Sequence, residues 1–118
     1  MPKSDDATRA RHMLQAARKA LGFAQGRCRA DLDGDEQFAL SLVRLLEILG
    51  EAAARVTDGT RRANEEIPWA EMVGMRNRLI HGYDVVDHDV LWQTVIEDLP
   101  ALIPLLEGIT IADESVAE

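Results

Sequence analysis

Apolar residues in the first two dozen positions (Met13, Ala17, Ala20, Leu21 and Ala24) recur at three- and four-residue spacing, the mark of one helix face. Ser4 or Asp5 offers a cap at its start and Gly26 a stop, so the pattern predicts a helix to about Gln25. After the polar break DLDGDEQ, a second helix is expected from about Asp35 to Val56. Phe38, Leu42, Leu45, Leu49 and Ala52 form its main stripe, with Leu46, Ala53 and Val56 beside it. Leu40, Val43 and Ile48 widen the apolar surface, so this helix is either central in a bundle or shared with a second subunit. The segment TDGTRRANEEIP reads as turns or one short helical piece. Pro68 then suits the first turn of a third helix, in which Trp69, Met72, Met75 and Leu79 share a face and Gly82 supplies a left-handed end. Asp87 can cap a last helix, with Asp89 in its first turn and a stripe of Trp92, Val95, Leu99, Leu102 and Leu106. Pro100 and Pro104 fall within that stripe, so a kink or restart is expected near Leu99. The tail from about residue 109, ending IADESVAE, is expected to fray, and strands are essentially absent from the reading. The expectation is a single domain over residues 1–118, an all-α antiparallel bundle of four to five helices.

Composition adds limits. One cysteine, Cys28, cannot close an intramolecular disulfide, which fits a reducing compartment. No apolar run nears the roughly 18 residues of a membrane span. The charged N-terminal MPKSDDATRARH lacks the apolar centre of a signal peptide, so a cytoplasmic protein is expected. The net charge of −8 is unevenly spread. Residues 1–30 hold seven basic side chains against Asp5 and Asp6, while residues 31–118 hold six basic and 19 acidic ones. Such a chain repels a nucleic-acid backbone overall, so any RNA contact must be local and rest on clustered arginines. Solvated helix faces are the plainer account of the asymmetry.

The clustering occurs in MRNRLIHGY, residues 75–83, where two arginines and an asparagine precede a histidine, a glycine and the chain's one tyrosine. Arg76 and His81 point about 140° apart on an ideal helix. They meet only if the helix stops before His81 or if both line one cleft. With Gly82 as that stop, His81 becomes the last helical residue, and Asn77, four before it, can hydrogen-bond the imidazole and fix its tautomer. Arg78 is placed along the same rim. A guanidinium grips phosphate with two parallel hydrogen bonds and stays charged at any working pH. An imidazole moves protons near neutrality. Together they suit cleavage of RNA by its own 2′-hydroxyl, the histidine handling a proton and the arginine stabilising the phosphorane, with no metal needed. By spacing alone the pattern is weak, since a histidine near a helix end also serves simply to cap carbonyls.

The wider string IPWAEMVGMRNRLIHGYDVVDHDVLWQTVIEDLPAL, residues 67–102, resembles the HepT-like branch of the HEPN superfamily. That branch carries Arg-x4-His-x-Tyr in a setting of I-P-W, M-R-N, H-x-Y and D-L-P, all present here in order. RLLEILGEAA, residues 44–53, is similar to the family's second helix, and the resemblance extends over roughly residues 35–106. It implies an all-α bundle that dimerises through its central helices and sets two motifs near one cleft, in accord with the over-wide apolar face of the second helix. It implies a metal-independent ribonuclease toxin of a type VII-like toxin–antitoxin pair, acting on tRNA or other cellular RNA. Arg76 and His81 match the catalytic positions, and Asn77 the polar position beside the arginine. The implied partner is an MNT-type nucleotidyltransferase that transfers AMP to Tyr83 and silences the toxin. A phosphodiester at that phenol would compete with RNA for Arg76. The alternative is a helical dimer that serves a nucleotidyltransferase as a non-catalytic regulatory subunit.

Other groups have ordinary uses. His81, Asp84, Asp87, His88 and Asp89 lack the spacing of a metal site, and Asp87 and Asp89 suit a helix start. Glu47 and Glu51 lie four apart and are flanked by Arg44 and Arg55, which favours intrahelical ion pairs over a catalytic carboxylate pair. Glu51 facing the cleft to orient Asn77 or an arginine is a further option. His12 and Cys28 call for no more than surface or core explanations. No cofactor is expected.

Overall fold

An alanine-lined helix sets the spacing of the bundle. Helix α1 (Ser4–Ala24) buries Ala7, Ala10, Met13, Ala17, Ala20 and Ala24, each at most 2% exposed. Small side chains at these steps let it pack closely along α3 (Glu36–Ala54), which presents Leu42, Leu46, Leu49 and Ala53. The other flank of α1 meets α8 (Leu99–Ala117), which buries Leu99, Leu102, Leu106 and Ile109. Each buried leucine contributes about 1.5–3 kcal/mol. This computed structural model describes the backbone of residues 4–81 and 85–117 and the side chains of 5–81, 85–110 and 112. The all-α class read from the sequence is the observed one, and no described helix is long and apolar enough to cross a membrane.

Helix ends follow local chemistry. Gly26, at φ 76°, takes the left-handed turn after α1 that side chains resist. The polar break expected next contains a further short helix, α2 (Ala30–Gly34), anchored by buried Leu32. Carboxylates meet backbone donors around it: Asp31 accepts from the Cys28 N–H at 2.8 Å, and Asp35, just past α2, accepts from the Phe38 N–H at 3.0 Å to start α3. Arg27 lies over the Phe38 ring at 4.0 Å and donates to Asp31 and Asp35. Helix α4 (Asp58–Ala63) is the short helical piece allowed for after residue 57. It is tied to α1 by Asp6, 1% exposed, which accepts from the Thr57 N–H and from the hydroxyls of Thr57 and Thr60.

The third helix departs from expectation. It is divided at Gly74 into α5 (Trp69–Val73) and α6 (Met75–Leu79), and it ends at Leu79, three residues before Gly82. Ile80 is already extended, at φ −115° and ψ 121°. It opens β1 (Ile80–His81), which pairs antiparallel with β2 (Val85–Val86) in the register Ile80↔Val86 and His81↔Val85. β-Branched residues favour this pairing, and the Asp87 N–H, donated to the Leu79 carbonyl at 2.7 Å, takes over a helix-end acceptor. Gly82, Tyr83 and Asp84 lie outside the described residues, including the expected glycine stop.

Beyond the ribbon, Asp87 caps α7 (His88–Gln93) as expected, accepting from the Val90 N–H at 3.0 Å. The expected irregularity near Leu99 takes a definite form. Residues Thr94–Asp98 make a π-helical turn, in which the Leu99 N–H bonds the Thr94 carbonyl five residues back. Pro100 follows at once and lacks the N–H that would hold the preceding carbonyl in α geometry, so the widened turn precedes it. Helical backbone continues through Ala117, further than the frayed end expected from residue 109.

Candidate active site

The segment carrying the motif is pressed onto α3 at Gly50. A Cβ there would stand 2.7 Å from the Met72 carbonyl, so only glycine admits this approach of α5. The contact brings Arg76 to a cleft of about 190 Å³ lined by Glu47, Gly50, Glu51, Ala54, Val73, Met75 and Arg76. Along α3, Arg44 lies 3.9 Å from Glu47 and 3.5 Å from Glu51, the intrahelical pairing expected of those carboxylates, and among the described residues Arg55 takes no part in it. Glu51 thus faces the same cleft as Arg76.

Arg76, Asn77 and Arg78 are exposed, and among the described residues none of them enters an ion pair or side-chain hydrogen bond. They do not share one rim. Two residues along the helix from Arg76, Arg78 lines a separate cavity of about 270 Å³ between α5, α6 and the π turn, whose polar lining includes Glu66, Glu71, Glu97 and Asp98. The guanidinium of Arg76 therefore faces α3, and that of Arg78 faces an acidic surround.

His81 sits on β1, not at a helix end, and is exposed. Its geometry relative to Arg76 is set by the turn from α6 into the ribbon rather than by a 100° step. Among the described residues, the side chain that meets the ring is Asp87 and not Asn77: His81 Nε2 lies 3.4 Å from Asp87 Oδ2. Asp87's carboxyl is held below the usual carboxylate range, first by the Val90 N–H and then by His81. The sequence reading took Asp87 only as a cap, because six residues of separation gain meaning only once the ribbon folds back. The modification candidate Tyr83 lies outside the described residues.

The other histidine of this region has a structural partner. His88 Nδ1 lies 2.8 Å from Asp33, which also pairs with Arg29 at 2.8 Å; Arg29 in turn reaches Asp89 at 2.7 Å. This four-membered clamp ties α2 to the start of α7, next to Asp87.

The fold is a helical bundle with an exposed guanidinium and an exposed imidazole in one short segment, groups whose chemistry suits phosphate and a proton. Comparison with known proteins narrows that reading. Residues 13–109 match the family model described as "Ribonuclease HepT-like", and the chain belongs to that family. A protein of Thermococcus cleftensis named "Probable ribonuclease HepT" is 44% identical over 80 residues, 68% of this chain and 73% of that one. A protein of Caldanaerobacter subterraneus and one of Methanocaldococcus jannaschii, each named "Putative RNase", are 33% identical over 77% and 76% of this chain and 81% and 83% of their own. No solved structure matches.

Proposed function

We propose that this protein is a ribonuclease that cleaves RNA without a metal ion and acts as the toxin of a type VII-like toxin–antitoxin pair in the cytoplasm. The observation that carries the reading is Arg76-x4-His81 in a HepT-like chain, with both side chains exposed and the guanidinium free of any ion pair among the described residues. Arg76 binds the scissile phosphate and stabilises the charge of the phosphorane. His81 transfers the proton of the attacking 2′-hydroxyl. Asn77 supports the phosphate side of the site, and Arg78 supplies a weaker contact to the RNA backbone. The net charge of −8 confines RNA binding to this local surface.

Two partners complete the reading. One is a second copy of the chain. Leu40, Arg44, Glu47 and Glu51 follow one face of α3, from an apolar depression formed with Phe23 and Leu45 to the cleft of Arg76. Phe23 and Leu40 are 48% and 53% exposed, so pairing along this face would cover them and bring two clefts together. The other partner is an MNT-type nucleotidyltransferase that attaches AMP to Tyr83 and so blocks Arg76.

The test is cleavage of total tRNA in EDTA by wild type and by His81→Ala, with intact mass first excluding modification at Tyr83. Cleavage should fall about 10²–10⁴-fold in the variant, the usual worth of a general acid–base group. If unmodified wild type leaves a broad set of RNAs intact, the protein is instead a non-catalytic subunit of the nucleotidyltransferase.

A further inference from the structure

The carboxylate that caps α7 also faces the ring on which the proposed chemistry depends. We propose that Asp87 is the positioning residue of His81, holding Nε2 so that Nδ1 is left to carry the proton. This rests on the nuclease reading above. The two oxygens of Asp87 divide the work. Oδ1 accepts from the Val90 N–H at 3.0 Å, which fixes the plane of the carboxylate, and Oδ2 stands 3.4 Å from His81 Nε2.

Both residues are held independently of that contact. The Asp87 N–H is bonded to the Leu79 carbonyl, and His81 is paired with Val85 across the ribbon. The clamp of Arg29, Asp33, His88 and Asp89 fixes the first turn of α7 from the other side. The carboxylate therefore has little freedom to leave the ring.

An ionised carboxylate accepts but cannot donate, so it selects the tautomer with the proton on Nε2 and leaves the Nδ1 lone pair as the base. As the 2′ oxygen bonds to phosphorus, its proton passes to Nδ1 and the bond from phosphorus to the 5′ oxygen breaks. The departing 5′ oxygen takes a proton from the imidazolium or from water. Asp87 stays ionised throughout and faces the imidazolium as it forms.

The experiment uses Asp87→Asn and Asp87→Ser, both of which keep a good helix cap but remove the charge. Long-range proton–nitrogen NMR spectra of His81 should show the Nε2–H tautomer alone in wild type and a mixture in the variants. RNA cleavage should lose about 10- to 100-fold in kcat, part of the usual general acid–base contribution, with KM within about twofold. In a His81→Ala background the same substitutions should cost nothing more, because the two residues act as one unit. An unchanged His81 tautomer in both variants overturns the proposal, whatever the activity. A shifted tautomer in a protein that cleaves no RNA upholds the positioning and sinks only the nuclease reading.

Discussion

The three long helices and the segment from Trp69 to Asp98 satisfy their backbone polar groups by different means. Helices α1, α3 and α8 run for 19 to 21 residues each, with Pro104 as an interior gap in the α8 ladder, and bury one continuous apolar face. The segment between α3 and α8 is built of elements two to six residues long: a break at Gly74, a two-residue strand, its return, a capped turn and a π turn. Each change leaves donors or acceptors to be met: the Asp87 N–H serves the Leu79 carbonyl, and the Asp87 carboxylate serves the Val90 N–H. A continued helix would have set Arg76 and His81 about 140° apart, and the strand frees His81 from that helical step. The scaffold supplies stability, and the broken segment supplies directions.

The largest effects should separate the two faces of α6. Arg76→Ala should cost about 10²–10³-fold in kcat, the scale of losing a donor to a developing negative charge. Arg76→Lys should recover only part, since a point charge cannot replace the bidentate fork. Arg78→Ala, on the acidic side, should raise KM a few-fold and reduce the salt slope of RNA binding by about one, as for a single phosphate contact. Neither substitution removes a described contact, so thermal stability should stay within about 0.5 kcal/mol of wild type. Equal losses in kcat from both arginines would mean that substrate spans α6, and the distinction between its faces would fail.

How much of this was legible follows from signal length. The bounds of α1 and α3 came within one or two residues of those observed, because a 3.6-residue period over five turns is hard to mistake and Asp35 marks a start. Helix α2 was missed because five residues with one buried leucine show no period. The early end at Leu79 was missed for the same reason: Val85 and Val86 were the signal, but two residues cannot declare a strand. The motif puts Arg76 and His81 forward as candidates, whereas it gives no sign of the contact with Asp87, which reaches the ring only through the ribbon. Gly50 lies within the RLLEILGEAA string, yet its reason is spatial. Gly50→Ala sets a methyl group against the Met72 backbone and should destabilise by about 1–3 kcal/mol, the usual cost of overpacking. Cleavage should weaken as well, because the same contact seats Arg76. A variant with wild-type Tm and wild-type activity would show that the joint between scaffold and segment tolerates slack.

The smallest effect should appear in acid, at the joint between α2 and α7. Asp33's carboxyl is held below the usual range first by His88 and then by Arg29; Asp31's is lowered by the Cys28 N–H ahead of Arg27, and Asp35's by the Phe38 N–H ahead of Arg27. A carboxyl whose pKa is lowered by folding contributes stability fully above its unfolded value of about 3.9 and loses it as pH falls through the lower folded value. Protonation on unfolding then favours the unfolded chain, so Tm should decline as pH falls below about 4. The groups are largely exposed and screened, which keeps the slope shallow. Asp33→Asn removes one of these linked protons and should flatten the decline, with Tm at pH 6 lowered by the same small amount that the variant no longer loses in acid. The buried face of α3 holds no ionisable side chain, so hydrogen exchange at pH 3 should open the start of α7 before the centre of α3. If both regions lose protection together, the clamp is no separate element and the first turn of α7 is held by the Asp87 cap alone.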